Sequence, residues 1–390
     1  MPLGPLEGVR VLDISNERGA YCTKLLADFG ADVIRVEPPG GDPMRSWALS
    51  RRYRSTEGAF FSYYHANKRG ITLDILNNGS QAILVGLLSY VDVLVLSNSV
   101  AELPVLADVL SSNTDLEDRL IIAEVTSFGG IGPHRHFSAT HLTTYAMGGL
   151  MFEQGLAGQA PRVIPGVQMY DEAGLCAAIG ILVSFRLTAR LGGQKVEVAA
   201  QEVMASQMHN IQRYASASVI AQRRGSQSAP PSGTWTCAEG QVEFQVWEAR
   251  QWSRFLELFE NPEDLNDPTL ADRMVRRERA EYLRPIVARE VARHRAVDLV
   301  NRAQSIGVPC SLVNQPQDVW RDPNLRQRGF FVKANAAGPE MPGSPYRLPE
   351  SMWSIRKPAP MLGQHNREVF EEELGILPDE LRELEDNGLV

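Results

Sequence analysis

The residues able to do chemistry are few and scattered. Asp171 lies in GVQMYDEAG, directly before the apolar stretch LCAAIGILVSF at 175–185. Read alone, an aspartate in that place is a helix N-cap, its carboxylate accepting backbone N–H groups. A carboxylate at a helix N-terminus also stays ionised, as a nucleophile must. His134, His136 and His141 fall close together in GPHRHFSATH. No Cys or acidic residue lies among them, so HxH reads as a solvated loop and no metal is expected. Cys22, Cys176, Cys237 and Cys310 are far apart without a CxxC pair, which excludes a zinc or disulfide framework and fits a reducing cytoplasm. The chain has no GxGxxG after its first strand, no GxxxxGK[ST], no GxSxG and no HExxH. Nicotinamide, P-loop, serine-hydrolase and zinc-protease chemistries lose their main support.

The elements that must position these residues alternate in type. VRVLDI at 9–14 reads as a buried strand. AYCTKLLADFG is a helix with Leu25, Leu26 and Phe29 on one face and Gly30 at its end, and ADVIRVE is a second strand. This is a βαβ unit, with parallel strands and a right-handed crossover. Strands at 71–75, 92–97 and 119–125, and a helix in SQAILVGLLSYV, continue the pattern. The expected fold is α/β: a doubly wound, Rossmann-like large domain. Residues 171–190 form a long helix ended by LeuGlyGly, followed by the strand KVEVAA. Ser-, Pro-, Gly- and Arg-rich residues 222–233 have linker composition, and a hairpin plus amphipathic helices follow. The division is 1–221 for the large domain, 222–325 for a linker and smaller α/β domain, and 326–390 for a Pro-rich tail returning to the first.

Length and composition set the outer bounds. The 390 residues are 44% hydrophobic and 22% charged, which describes a soluble globular chain and excludes disorder as the main state. The net charge of −8, with no basic run, argues against nucleic acid. The N-terminus lacks a signal-peptide pattern, and the longest apolar run is about half a membrane span. A soluble cytoplasmic protein is expected.

A series of short phrases runs the length of the chain: PLEGVRVLDIS, LLADFGADVIRVEPPGGDPMR, NKRGITLDI, VDVLVLSNS, TSFGGIGP, GVQMYDEAG, IGVPCSLVN, RDPNLRQRGFF and MLGQHNREVF. In this order they resemble the family III CoA-transferases, the CaiB/BaiF group, which also includes formyl-CoA transferases and α-methylacyl-CoA racemases. The resemblance implies a Rossmann-like domain completed by the C-terminal tail, a small domain between, and two chains interlocked as a homodimer, a heteromer being the alternative. It implies coenzyme A and acyl-CoA as substrates rather than a tightly bound cofactor, with a small carboxylic acid as acceptor. Asp171 matches the family's nucleophile, which carries an aspartyl-CoA thioester. Gly174, with Ala173, Ala177 and Ala178, is expected to let that thioester approach closely.

The resemblance also places CoA near the loop after the first strand, the end of the second, the NKR phrase and the loop after VDVLVL. Glu17, Arg45, Asn67, Lys68, Arg69 and Ser97 are the cofactor-binding candidates, Lys68 and Arg69 reading alternatively as a solvated turn. The chain departs from the family pattern at Glu17–Tyr21, at Leu96–Ser99, at Pro38 and in SATHLTT. Two other functions stay open. One is a racemase using Asp171 and His141 as its acid/base pair, although Ala139, Thr140 and His141 stand where the racemases have Gly-His-Asp. The other is a non-catalytic CoA-binding subunit.

Overall fold

The structure is a computed structural model, and it describes residues 4–47, 58–155, 158–218, 228–334, 338–348 and 352–390. Half of the linker reading at 222–233, residues 222–227, and the boundary at 221/222 lie outside the described residues. The chain divides into two compact units, one of Met1–Met151, Val163–Val219 and Gly329–Val390, the other of Phe152–Arg162 and Ile220–Arg328.

The first unit is built on β1 (Arg10–Asp13), β2 (Asp32–Glu37), β3 (Arg69–Thr72), β4 (Val93–Leu96), β5 (Ile121–Thr126) and β6 (Gln194–Ala199). They form one sheet in the order β3-β2-β1-β4-β5-β6, and every pairing is parallel. The order reverses between β1 and β4, so the strand ends there open a crevice at their C-terminal edge. Helices α1 (Ala20–Asp28), α2 (Ala59–Tyr64), α3 (Gln81–Tyr90), α4 (Pro104–Ser112), α5 (His141–Met147) and α6 (Gln168–Leu191) accompany the strands. The two larger apolar cores among the described residues of this unit lie against the sheet. One includes Leu12, Ile34, Ile71, Leu87, Leu94 and Leu106; the other includes Val11, Leu26, Val33, Val93, Ala173 and Ala177.

Apolar patterning puts the third strand at 71–75, but it begins at the charged Arg69. Arg69 is buried because Asp32, Glu368 and Glu373 neutralise it. The tail reaches the same strand: Gly70 N–H donates to His365 Nδ1 at 3.0 Å, and Thr72 N–H to Asn366 Oδ1 at 2.9 Å. A Cβ on Gly70 would lie 2.8 Å from Pro360 Cγ, so glycine is what permits this approach.

At the C-terminal end of β1, Asp13 is fully buried. Its carboxylate accepts from Ser15 Oγ at 2.6 Å, Thr23 Oγ1 at 2.7 Å, Lys68 Nζ at 3.0 Å and Arg35 Nη1 at 3.3 Å. One side chain thus links β1, α1, β2 and the segment entering β3. Arg35 continues the chain of charge to Asp42, and the buried Glu37 holds Arg45.

Unit two carries an antiparallel sheet, β7 (Gly233–Thr236), β8 (Gln241–Phe244) and β9 (Cys310–Leu312), packed against helices. Its Arg276 is wholly buried and donates to the carbonyls of Pro230, Leu270, Ala271 and Val246 while lying 4.8 Å from the Trp252 ring.

Asp13 is held down at about 2, because Lys68, Arg35 and two hydroxyls outweigh its burial. Its folded value lies below its unfolded value of 3.8, so its stabilising contribution is present above that value and is lost as pH falls toward 2. Asp13→Ala leaves Lys68 and Arg35 buried without their shared anion. It should cost about 3–5 kcal/mol at neutral pH, read from chemical denaturation; a loss below about 1 kcal/mol contradicts the role.

Candidate active site

Asp171 is not the cap of its helix. α6 begins at Gln168 with Val167 at the N-cap, which makes Asp171 the fourth residue, inside the first turn. Its backbone N–H donates to Val167 O at 3.1 Å. The side chain projects toward aromatic residues of α1 and α2. Tyr64 OH donates to Asp171 Oδ1 at 2.7 Å. Oδ2 takes no hydrogen bond among the described residues.

Burial pushes the Asp171 carboxyl up to about 6; the Tyr64 hydrogen bond opposes the shift and the Glu172 charge adds to it. Desolvation therefore outweighs the favourable helix terminus, and the ionisation expected from position alone is correct only above that value. Near neutral pH the group is an anion with one coordinated and one open oxygen, in a site poor in donors. Such an anion is underpaired, which suits a nucleophile.

The surroundings of Tyr64 are ordered rings. Tyr21 meets it edge-on at 6.3 Å and Tyr63 at 5.1 Å, and Phe60 stacks at 6.5 Å. The small residues beyond Asp171 serve packing. A Cβ on Gly174 would lie 2.9 Å from Cys22 N and 3.1 Å from Tyr21 Cβ, and Ala173, Ala177 and Ala178 are buried in the core. The absence of side chains there lets α1 and α6 touch; it does not open room for a thioester.

The other candidates separate into two groups. Asn67, Lys68 and Arg69 are all buried, which overturns the solvated-turn reading. Asn67 takes a left-handed φ of 67°, donates to Asp28 Oδ1 and Ser354 O, and accepts the backbone N–H groups of Arg356 and Lys357. Lys68 Nζ is occupied by Asp13, Thr23 Oγ1, the Ala20 carbonyl and His65, and burial pushes it down to about 8. Arg69 is spent on its three carboxylates. Arg45 is partly exposed, bound two-pronged to Glu37 and laid over Phe61 at 3.8 Å.

Glu17 and Ser97 stand at the crevice between β1 and β4. Glu17 is half-buried in the turn after β1. Ser97 is buried, its hydroxyl accepting from Asn16 N–H at 2.9 Å. Its carbonyl accepts from Arg18 Nη1 at 2.8 Å, while Arg18 Nε is buried without a partner among the described residues. A cleft of about 270 Å³ opens here, lined by Arg18, Ser97, Asn98, Ser127, Arg135 and His136 among others. Arg18 sat unremarked in the sequence, within a phrase that departs from the family.

The histidines have separate duties. His134 packs at 4.5 Å from the Phe137 ring, and His136 pairs with Glu102 at 3.5 Å. His141 opens α5, its ring edge-on to Tyr170 at 5.4 Å and stacked on Tyr145 at 6.1 Å. Burial pushes its pKa down, and its Nε2 is buried without a partner among the described residues. Among the described residues no helix is long and apolar enough to cross a membrane.

Comparison with known proteins identifies the family and the fold. The sequence profile of CoA-transferase family III matches residues 6–366. The chain is 30% identical over 396 residues to the succinyl-CoA--D-citramalate CoA-transferase of Chloroflexus aurantiacus, covering 98% of each chain. It is 28% identical to the formyl-CoA:oxalate CoA-transferase of Streptomyces avermitilis over 99% of each. A crystal structure of a CaiB/BaiF family protein from Brucella suis superposes with a TM-score of 0.85 at 23% identity, covering 95% of this chain and 99% of that one. The chain belongs to family III of the CoA-transferases.

Proposed function

We propose that the protein moves CoA from an acyl-CoA to a carboxylic acid through an aspartyl-CoA thioester on Asp171. The observation that carries this reading is the Asp171 carboxylate itself, underpaired, raised to about 6 by burial and offering one open oxygen. In the proposed sequence Oδ2 attacks the acyl carbonyl and expels the CoA thiolate, leaving a mixed anhydride. The thiolate then attacks Cγ of Asp171 and expels the donor as its carboxylate. The acceptor carboxylate repeats these steps in reverse and leaves as the new thioester. No redox change occurs, and each covalent step replaces one acyl bond with another.

Succinyl-CoA is the first donor to test, because several relatives carry it in their names, including the enzymes for D-citramalate and L-malate. For the CoA phosphates we propose Arg18 and Arg135 at the crevice. They line an open cleft, whereas Lys68 and Arg69 are committed inside the fold. The resemblance further implies two interlocked copies. The row Leu175, Ile179, Leu182 and Val183 on α6, exposed in the single chain, supports an apolar partner surface there.

Incubation with an acyl-CoA, then mass spectrometry of the peptide bearing Asp171, should reveal a CoA adduct or its hydroxylamine-trapped product. Asp171→Ala should abolish turnover with folding intact, and wild-type kcat/KM should fall below pH about 6 as the carboxylate protonates. Solvent deuterium entering the α-carbon without an adduct would instead establish the racemase reading. Arg18→Gln should raise KM for acyl-CoA about tenfold or more, with a smaller effect on kcat; an unchanged KM removes Arg18 from the CoA site. Sedimentation equilibrium should give the mass of two chains, and a monomer at micromolar concentration would contradict the interlocked pair.

A further inference from the structure

We infer that Tyr64 is a catalytic residue whose phenol stabilises the oxyanion that forms on the nucleophile's own carboxyl group. The inference rests on the aspartyl-CoA reading and concerns steps at Cγ of Asp171. When thiolate attacks the anhydride at Cγ, the C=O bond to Oδ1 opens and its electron pair localises on Oδ1. Collapse restores the carbonyl and expels the donor carboxylate, which departs carrying Oδ2. When the acceptor carboxylate attacks the thioester, charge gathers on Oδ1 again, and collapse expels the CoA thiolate. Oδ1 is retained through both steps, and it is the oxygen that already accepts from Tyr64 OH at 2.7 Å.

The interaction is differential in the way catalysis requires. In the anhydride and thioester Oδ1 is a neutral carbonyl oxygen, and in each tetrahedral intermediate it carries a full charge. A donor fixed beforehand needs no reorganisation at that moment. Tyr64 meets this condition: it is 5% exposed, held between the rings of Tyr21, Tyr63 and Phe60 at the end of α2. Burial and the Asp171 charge also raise its own pKa, so the phenol keeps its proton. The first step runs the other way. Attack by Oδ2 withdraws charge from the carboxylate and weakens the Tyr64 hydrogen bond. Tyr64 therefore favours the steps at Cγ and not the opening attack.

Tyr64→Phe keeps the ring and removes the donor. The expected result is unchanged thermal unfolding, KM for acyl-CoA within about threefold, and kcat lowered roughly a hundredfold. The acid limb of kcat/KM should move to higher pH, because the lost hydrogen bond favoured the ionised carboxylate. The loss in kcat should persist on the alkaline plateau, which separates oxyanion stabilisation from a change in ionisation alone. With acceptor omitted, the Asp171–CoA adduct should accumulate more slowly than in the wild type. If the wild type forms the adduct and the variant forms it equally fast with kcat within threefold, the role assigned to Tyr64 is wrong. If the wild type forms no adduct at Asp171, the underlying reading fails and this one with it.

Discussion

The carboxylate of Asp13 is the point on which the first unit turns. It sits at the end of β1 without solvent and ties together Thr23 of α1, Arg35 of β2 and Lys68 ahead of β3. Burying so much charge is not a cheap source of stability, since desolvation consumes most of the Coulomb gain. The arrangement contributes position. Lys68 shows the strain between the two effects: burial and the neighbouring Arg35 lower it to about 8 although Asp13 pulls the other way. By anchoring Lys68 and Thr23, Asp13 fixes where α2 ends and where α1 begins. Those ends present Tyr64 and Tyr21 to Asp171.

Asp13 and Asp171 are the same residue type with opposite outcomes, and the more deeply buried of the two, Asp13, is the one held low. Two cations and two hydroxyls converge on Asp13 and hold it at about 2. Among the described residues a single phenol serves Asp171, and burial carries it to about 6. The first is a saturated anion with a structural duty. The second retains unsatisfied charge, and an anion deprived of donors is the better nucleophile and the costlier one to fold around. Donor count, not burial, separates the two roles.

Much was legible in the sequence because it follows from local periodicity. The strand ends near Asp13 and Glu37, the helix closed before Gly30 and the long helix after Tyr170 all lie close to their expected places. The position of Asp171 was legible too, through the phrase that surrounds it. The burial of the NKR phrase, which overturns its reading as a solvated turn, was not legible, for a physical reason. Long basic side chains at an element boundary look alike whether they face solvent, a phosphate or a buried carboxylate. The partners that decide the matter for Arg69 lie about three hundred residues onward, at Glu368 and Glu373. Tyr64 was equally hidden in FFSYYHANKRG, where a run of aromatics gives no sign of which hydroxyl has a partner.

The sequence by itself determined the alternation of strands and helices, the family resemblance and the identity of the candidate nucleophile. These depend on neighbours along the chain, whose spacing is fixed by the backbone. Only the tertiary structure decided that Asp171 lies within its helix and not at the cap. It also decided that burial raises its pKa, that Tyr64 holds one of its oxygens, and that Arg18 rather than Lys68 faces the crevice. Apart from the helix start, which turns on backbone bonds four residues apart, each of those facts is a contact between residues remote in sequence, or a desolvation set by everything packed around the group, and neither is encoded in any short stretch of chain.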